Sequence, residues 1–377
     1  MTDRRAAITV AAGLSALALA MGIGRFGYTA LLPAMQAEGL SDADAGIVAA
    51  ANLFGYVFGS WAAGRTPPAW WRPGLLACVA LSVLSTAAMA TGGLGPWLLW
   101  RALAGPASAA VFVLGVGLML ERLAALGRAD WGGFAFSGVG FGIAASGAVA
   151  FVLTDAAAAW LALGALALSF ALPAALLARP GAAHAAAPPA ALAAASPALR
   201  RLTAAYVLEG FGYSVAATFL VAVVARGGSL DLAAWAWVVA GLAAAPAFFV
   251  WRRVARRAGL WRALGLAYAI QAAAIALPAL SAAPVAALAA AIGFGGTFLA
   301  ITALTVAEAR HLGGVPAIGR VTVLYGIGQA LGPMLAGWLA EARGGFDAAL
   351  VASGACVAAG AVILLSPKLR RSDSCPS

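Results

Sequence analysis

The 377-residue chain is 64% hydrophobic and only 10% charged, with a formal net charge of +10 and a mean hydropathy of +0.96. Soluble globular chains carry about 25% charged residues, so this chain could not cover a core with polar surface and is expected to reside in a membrane. Its excess of positive charge is not a nucleic-acid footprint by default; the placement of the charges decides their meaning.

A helix crossing the hydrocarbon core needs about 20 mostly apolar residues. Windows of that length predict spans at 7–33, 44–64, 74–93, 96–120, 132–153 and 157–178, then at 202–225, 232–251, 260–280, 284–307, 319–340 and 347–366. The first, with Arg4-Arg5 ahead of an apolar run and Ala18-Leu19-Ala20, has the outline of a cleavable signal peptide. The run continues toward Pro33 and a later span repeats its sequence, so it is read as a span. Ser41 and Asp44 form a variant capping box opening the second span, with Asp in place of Glu or Gln. Thr66-Pro67-Pro68, Gly92-Gly93, Gly227-Gly228 and Gly344-Gly345 punctuate other joints.

Charge placement tests this count. With twelve spans both ends share one side, and that side holds 19 of the 23 basic residues: Arg4, Arg5, Arg65, Arg72, Arg122, Arg128, Arg179, Arg200, Arg201, Arg252, Arg253, Arg256, Arg257, Arg262, Arg310, Arg320, Lys368, Arg370 and Arg371. The opposite loops hold Arg226 and Arg343 with Glu38, Asp42, Asp44, Asp155, Asp231, Glu341 and Asp347. Because Lys and Arg mark cytoplasmic loops, both termini are expected in the cytoplasm of a cell whose inner membrane holds the protein.

The second six spans echo the first. Phe26-Gly27-Tyr28-Thr29 matches Phe211-Gly212-Tyr213-Ser214, and Gly138-Val139-Gly140 matches Gly326-Ile327-Gly328. Each of the latter continues into a Gly-x-x-x-Gly step, Gly138 to Gly142 and Gly328 to Gly332. Leu120-Glu121-Arg122 and Ala307-Glu308-Ala309-Arg310 close spans four and ten. The division expected is a six-helix half at 1–178, a cytoplasmic linker at 179–199 and a second half at 200–377. An all-α protein of two parallel six-helix repeats is a transporter architecture, with its substrate site near the midplane. Small residues at spacing four, such as Gly55, Gly59 and Ala63 in span two, are read as helix-packing positions, with sliding contacts during transport as the sharper alternative.

The pattern resembles the major facilitator superfamily over essentially the whole chain. Gly59-Ser-Trp-Ala-Ala-Gly64-Arg65 stands where that family carries a Gly-x-x-x-Asp-Arg latch between spans two and three, with Ala63 or Gly64 in place of the acid. Trp251-Arg-Arg-Val-Ala-Arg-Arg-Ala-Gly259 is similar to the corresponding stretch after span eight. Arg101-Ala-Leu-Ala-Gly105 is similar to the span-four motif, and Gly328-Gln-Ala-Leu-Gly332-Pro333 to the antiporter-type Gly-Pro motif, here in span eleven rather than five. More narrowly, Gly24-Arg25-Phe-Gly-Tyr-Thr-Ala-Leu-Leu-Pro33-Ala-Met35, Leu208-Glu209-Gly-Phe-Gly-Tyr213 and Tyr325-Gly-Ile-Gly-Gln-Ala-Leu-Gly-Pro333 resemble YbfB/YjiJ-type facilitators. The resemblance implies an architecture rather than a cargo, and a monomer as the working unit.

An ionisable group inside a span costs roughly 2.5–3.5 kcal/mol on insertion scales and points to function. Arg25, Arg101 and Glu209 qualify. Arg25 lies about two helical turns before Pro33 and should face the cavity. Glu209 lies roughly 12 Å inside the membrane, eight residues beyond Arg201 at 1.5 Å each. Arg101 is placed nearer the outer surface, within reach of snorkelling. Arg25 is expected to attract an anionic group of the substrate or pair with a carboxylate, and Glu209 to carry a proton; a static ion pair between the two is the structural alternative. Tyr28, Asn52, Tyr56, Tyr213, Tyr325 and Gln329 share helix faces with these groups or with one another as weaker pathway candidates, and Gln271 is read as interhelical glue.

Other chemistries find no residues. Gly138-x-Gly140-x-Gly142 lies inside an apolar helix without a preceding strand, and no P-loop lysine occurs, because the chain's one lysine is Lys368. Cys78, Cys356 and Cys375 make no disulfide framework, and His184 and His311 are expected alone in polar connections, so neither metal nor cofactor is expected. The reading is a secondary transporter, not an enzyme, with a small-molecule substrate, protons and membrane lipid as partners. Efflux and uptake both stay open, as do a proton-independent uniporter or exchanger and a non-transporting membrane partner or sensor.

Overall fold

The computed structural model describes residues 2–179 and 196–366. Twelve helices among them are long and apolar enough to cross a membrane: Thr2–Ala37, Asp42–Ala63, Pro68–Thr91, Leu94–Ala125, Ala129–Val152 and Ala156–Ala178, followed by Pro197–Gly227, Leu230–Ala258, Leu260–Leu280, Pro284–Gly314, Pro316–Arg343 and Asp347–Leu365. No strand occurs among the described residues. All twelve predicted spans are present, and several run past their apolar windows by a turn or more. Hydropathy marks only what sits in hydrocarbon, whereas helical hydrogen bonding continues into the wetter end turns. His311 accordingly lies in the last helical turns of span ten rather than in a connection. His184, Cys375, Lys368, Arg370, Arg371 and all but the ends of the 179–199 connection fall outside the described residues.

Local chemistry explains where helices stop. The Ser41 hydroxyl caps span two by accepting from the Asp44 amide at 3.1 Å, and it donates to the Asp44 carboxylate at 3.0 Å. Asp155, Ser196 and Ser229 cap spans six, seven and eight in the same way. Spans ten and eleven would otherwise form one continuous helix, and the break falls at Gly314, whose φ of 66° favours glycine, just before Pro316.

Two basic residues that the charge pattern assigned to loops turn inward to finish other helices. Arg122 donates to the Leu176 and Leu177 carbonyls, each at 2.8 Å, and to that of Arg179, closing span six. Arg201 donates to Ile363 and Leu364, each at 2.7 Å, closing span twelve. A helix C-terminus leaves carbonyls without partners and carries partial negative charge, so a guanidinium fork suits it twice over.

Packing is governed by glycine. Span five lies between spans one and eight: a Cβ on Gly138 would overlap the Leu14 carbonyl, one on Gly142 would lie 2.7 Å from the Gly22 Cα, and one on Gly140 would lie 2.5 Å from the Gly241 oxygen. Span eleven lies in the same way between spans seven and two. A Cβ on Gly328 would come 2.7 Å from the Val207 oxygen, one on Gly332 would overlap Phe211, and one on Gly326 would strike Val57. Gly55, Gly59 and Gly105 let spans two and four touch backbone to backbone, against Ala102, Pro106 and Asn52. The Pro333 carbonyl packs on Gly46 of span two. Gly64, by contrast, touches only the carbonyls of its own helix.

Gly59→Leu and Gly142→Leu should each destabilise the bundle by about 1–3 kcal/mol or more, the cost of overpacking. This would be read as a lower melting temperature and loss of the monodisperse peak in detergent. Gly319→Ala, where nothing lies within 4 Å of the added carbon, should leave both unchanged.

Candidate functional site

Span one is interrupted in mid-membrane. Ala18–Ile23 forms a π-helical turn, with Gly24 N–H bonded to Leu19 O at 2.8 Å and Phe26 N–H to Met21 O at 3.1 Å, and the α-helix resumes at Gly27. Gly24 favours the break, because a side chain there would press on the Ala20 and Leu19 carbonyls, at 2.9 and 3.2 Å. Such breaks recur at functional positions, and at membrane depth the freed backbone groups must find partners inside the protein.

Arg101 supplies them. Its guanidinium donates to Gly24 O at 2.7 Å and to Arg25 O at 3.2 Å, and it lies 5.0 Å from the centroid of the Tyr28 ring. Arg101 is 3% exposed and does not snorkel to the outer surface as the sequence suggested. Two orphan carbonyls inside the bundle are better partners for a fork of donors than the distant headgroups. Asn52 of span two donates to the Arg101 carbonyl at 3.2 Å, and the Tyr28 hydroxyl donates to the Ala45 carbonyl at 2.9 Å. Spans one, two and four are thereby tied together around the interruption.

The break leaves Arg25 at a different kind of position. Its guanidinium has no hydrogen bond or ion pair among the described residues and is 8% exposed. It faces the rings of Phe26 at 5.3 Å, Tyr56 of span two at 5.4 Å and Tyr213 of span seven at 5.9 Å. Aromatic faces attract a desolvated cation by about 2 kcal/mol, which holds the group without neutralising it. Arg25, Arg101, Asn52, Thr29, Ser214 and Thr218 are among the residues lining a cavity of about 20 Å³, room for one water, and no carboxylate lines it.

Glu209 of span seven lies one turn from Tyr213, is 0% exposed, and neither carboxylate oxygen has a hydrogen-bond partner among the described residues. Gln271 of span nine and Tyr325 of span eleven approach it. No ion pair joins it to Arg25, so the static-pair alternative is not what this conformation holds. Tyr325 stacks flat on Tyr206, with centroids 3.9 Å apart and planes 5° apart, and Gln329 is buried one turn further along span eleven. Arg65 bonds the Trp61 carbonyl at 3.4 Å and covers the Trp61 ring at 4.5 Å, occupied locally rather than latched to an acid.

Pattern reasoning missed an aromatic wall beside Arg25. Phe26 meets Trp237 of span eight and Phe298 of span ten edge-on, and Tyr213 stacks over Phe294 and Phe298. Apolar aromatics in an apolar helix carry no signal of their own, and only the crossing of four helices assembles them. At the face opposite the termini the first and last six spans are joined. The Arg226 fork grips both Asp42 oxygens, Gln36 supports Asp42 at 2.7 Å and Glu341 accepts from the Ala43 amide at 2.9 Å; deeper, beside the Arg25 cavity, the Thr29 hydroxyl donates to the Ala217 carbonyl.

The fold is shared with solved transporters. A crystal structure of the nucleoside transporter NupG superposes with a TM-score of 0.69 at 14% identity, covering 95% of this chain and 98% of that one. A structure of a NupG mutant gives the same score and identity over 94% and 98%. No curated protein sequence matches the chain. The family profile described as the uncharacterised MFS-type transporter YbfB matches residues 17–365. A match over that length, on a twelve-helix bundle interrupted at a buried arginine, places the chain in the YbfB family of major facilitator transporters.

Proposed function

We propose that the protein carries a small solute bearing an anionic group across the inner membrane in company with a proton, by alternating access between two six-span halves, residues 1–178 and 200–377. The observation that carries this reading is a pair of opposite, unpartnered charges buried on facing spans: Arg25 in span one and Glu209 in span seven. Arg25 lies in a cavity without a carboxylate, which favours an anion as its partner. While the cavity is empty, the positive field of Arg25 supports a charged Glu209. An anion seated on Arg25 cancels that support and favours a proton on Glu209, and by linkage the proton favours the anion. Solute and proton would then cross together with little net charge in the low-dielectric interior.

The two halves meet at the face opposite the termini and also, through Phe134 on Phe249 and Phe136 on Phe248, toward the termini side, which suits an occluded conformation around Arg25. The concentration of Lys and Arg on that side supports its being cytoplasmic. Arg101 acts as a positioning residue, since it holds the backbone from which Arg25 projects. The aromatic wall suits a solute with an apolar body behind its charged group. The likeness to NupG supports the architecture and not a nucleoside cargo.

In proteoliposomes loaded with a pH-sensitive dye, a panel of organic acids, sugars, amino acids and cationic drugs should give a compound-dependent proton movement for an acid. Glu209→Gln should abolish the pH change, and Arg25→Ala should abolish solute uptake as well. Equal proton movement in wild type and Glu209→Gln would refute Glu209 as the proton site, and solute flux without proton movement would refute coupling. Arg101→Lys, which cannot bridge both carbonyls, should slow transport by about tenfold, as expected for losing one charge-assisted hydrogen bond. A fluorescent protein that matures only in the cytoplasm, fused to the C-terminus, should fluoresce.

A further inference from the structure

The cavity beside Arg25 is walled by both halves of the chain: Arg25 and Thr29 come from span one, Asn52 from span two, Arg101 from span four, and Ser214 and Thr218 from span seven. Arg25 and Arg101 are both more than nine-tenths buried, and no carboxylate lines the space of about 20 Å³ that they border. A buried charge is costly unless a partner meets it. Arg101 uses two of its nitrogens on the Gly24 and Arg25 carbonyls, and its Nε is buried without a partner among the described residues. Arg25 has neither a hydrogen bond nor an ion pair among them. The first turn of the helix that resumes at Gly27 adds Tyr28 and Thr29 to the same wall, and the N-terminal turn of a helix favours negative charge.

We propose that this cavity is a halide site, in which a dehydrated chloride lies against Arg25 and Arg101. The inference deepens the reading of Arg25 as an anion site and rests on it. Size and the remaining chemistry narrow the ligand. About 10–15 Å³ holds one water, so an ion of one atom fits, whereas a sulfate or an organic acid enters only if the walls part. The hydroxyls of Thr29, Ser214 and Thr218 already donate to the carbonyls of Ala217, Phe211 and Ser214, the last two at 2.9 and 2.8 Å. The site therefore offers positive charge and few free donors. An ion that enters leaves its water behind and recovers few hydrogen bonds, which favours weakly hydrated bromide and chloride over fluoride. A water fits as well, yet it leaves both charges uncancelled. A carboxylate brought to Arg25 must displace the halide, so chloride and solute compete, and by linkage either one favours a proton on Glu209. Because the walls come from both halves, an ion seated there also ties the halves together.

The test uses the full chain, purified in sodium gluconate. Equilibrium binding of radioactive chloride should saturate at a single site. Bromide should displace it, and fluoride, sulfate and gluconate at equal ionic strength should not. Bromide should also raise the melting temperature, since it binds the folded state alone. Arg25→Gln should weaken chloride binding by about tenfold or more, as expected for losing a contact with a charged group. Ala49→Val, which keeps both arginines and adds methyl groups to the cavity wall, should weaken it likewise. Arg65→Gln, outside the cavity, should bind chloride as wild type does. The halide site is overturned if chloride does not bind, if binding survives unchanged in Arg25→Gln or Ala49→Val, or if sulfate displaces chloride as well as bromide does. In that event, solute uptake that still requires Arg25 leaves the anion reading standing, and uptake indifferent to Arg25→Ala removes both.

Discussion

The site depends on one set of hydrogen bonds, those from the Arg101 guanidinium to the backbone of the interrupted first span. A break in a helix at mid-membrane exposes carbonyls where no water can reach them, and it survives only where the protein supplies donors. Arg101 supplies several donors in one rigid fork, and the Tyr28 ring and the Asn52 amide keep that residue in place. The break in turn frees the following turn to present Arg25, with no acceptor of its own, to the cavity between spans one, two and seven. One arginine is spent on structure so that another can remain unspent.

The same economy recurs at the termini face. Arg122 and Arg201 close spans six and twelve by donating to their last carbonyls, from spans four and seven respectively. The two caps close spans six and twelve, although their donors come from non-equivalent spans, and glycine seams seat span five on span one and span eleven on span seven. Without side chains at Gly138, Gly142, Gly328 and Gly332 the helices approach until backbones touch. In lipid, where no hydrophobic force drives helices together, close van der Waals contact is the main attraction available.

Opposite charges kept apart inside a bundle are costly, and their persistence asks for a reason. Arg25 is softened by three aromatic rings, whereas Glu209 has no hydrogen-bonded partner among the described residues. For the proposed carrier of an anion and a proton, a direct pair would work less well, since each partner would have to be pulled from the other before binding anything else. On that proposal, separation leaves both groups available and still coupled through the low-dielectric interior.

The number of spans, their order and the shared side of both ends were legible in the chain itself, because they follow from one-dimensional properties: the run of apolar residues that hydrocarbon demands and the side on which basic residues accumulate. Arg25, Glu209 and the glycine steps were legible for the same reason, as residues out of keeping with their neighbours in a membrane helix. Arg101 stood out equally, yet its surroundings were misjudged, since depth along its own helix placed it near the surface while the orphan carbonyls that hold it belong to a different span. The aromatic rings of Phe26, Trp237, Phe294 and Phe298 looked ordinary in sequence. Their significance lies in which helices cross and which faces meet, a matter of three-dimensional packing that hydropathy and spacing along a single helix do not encode.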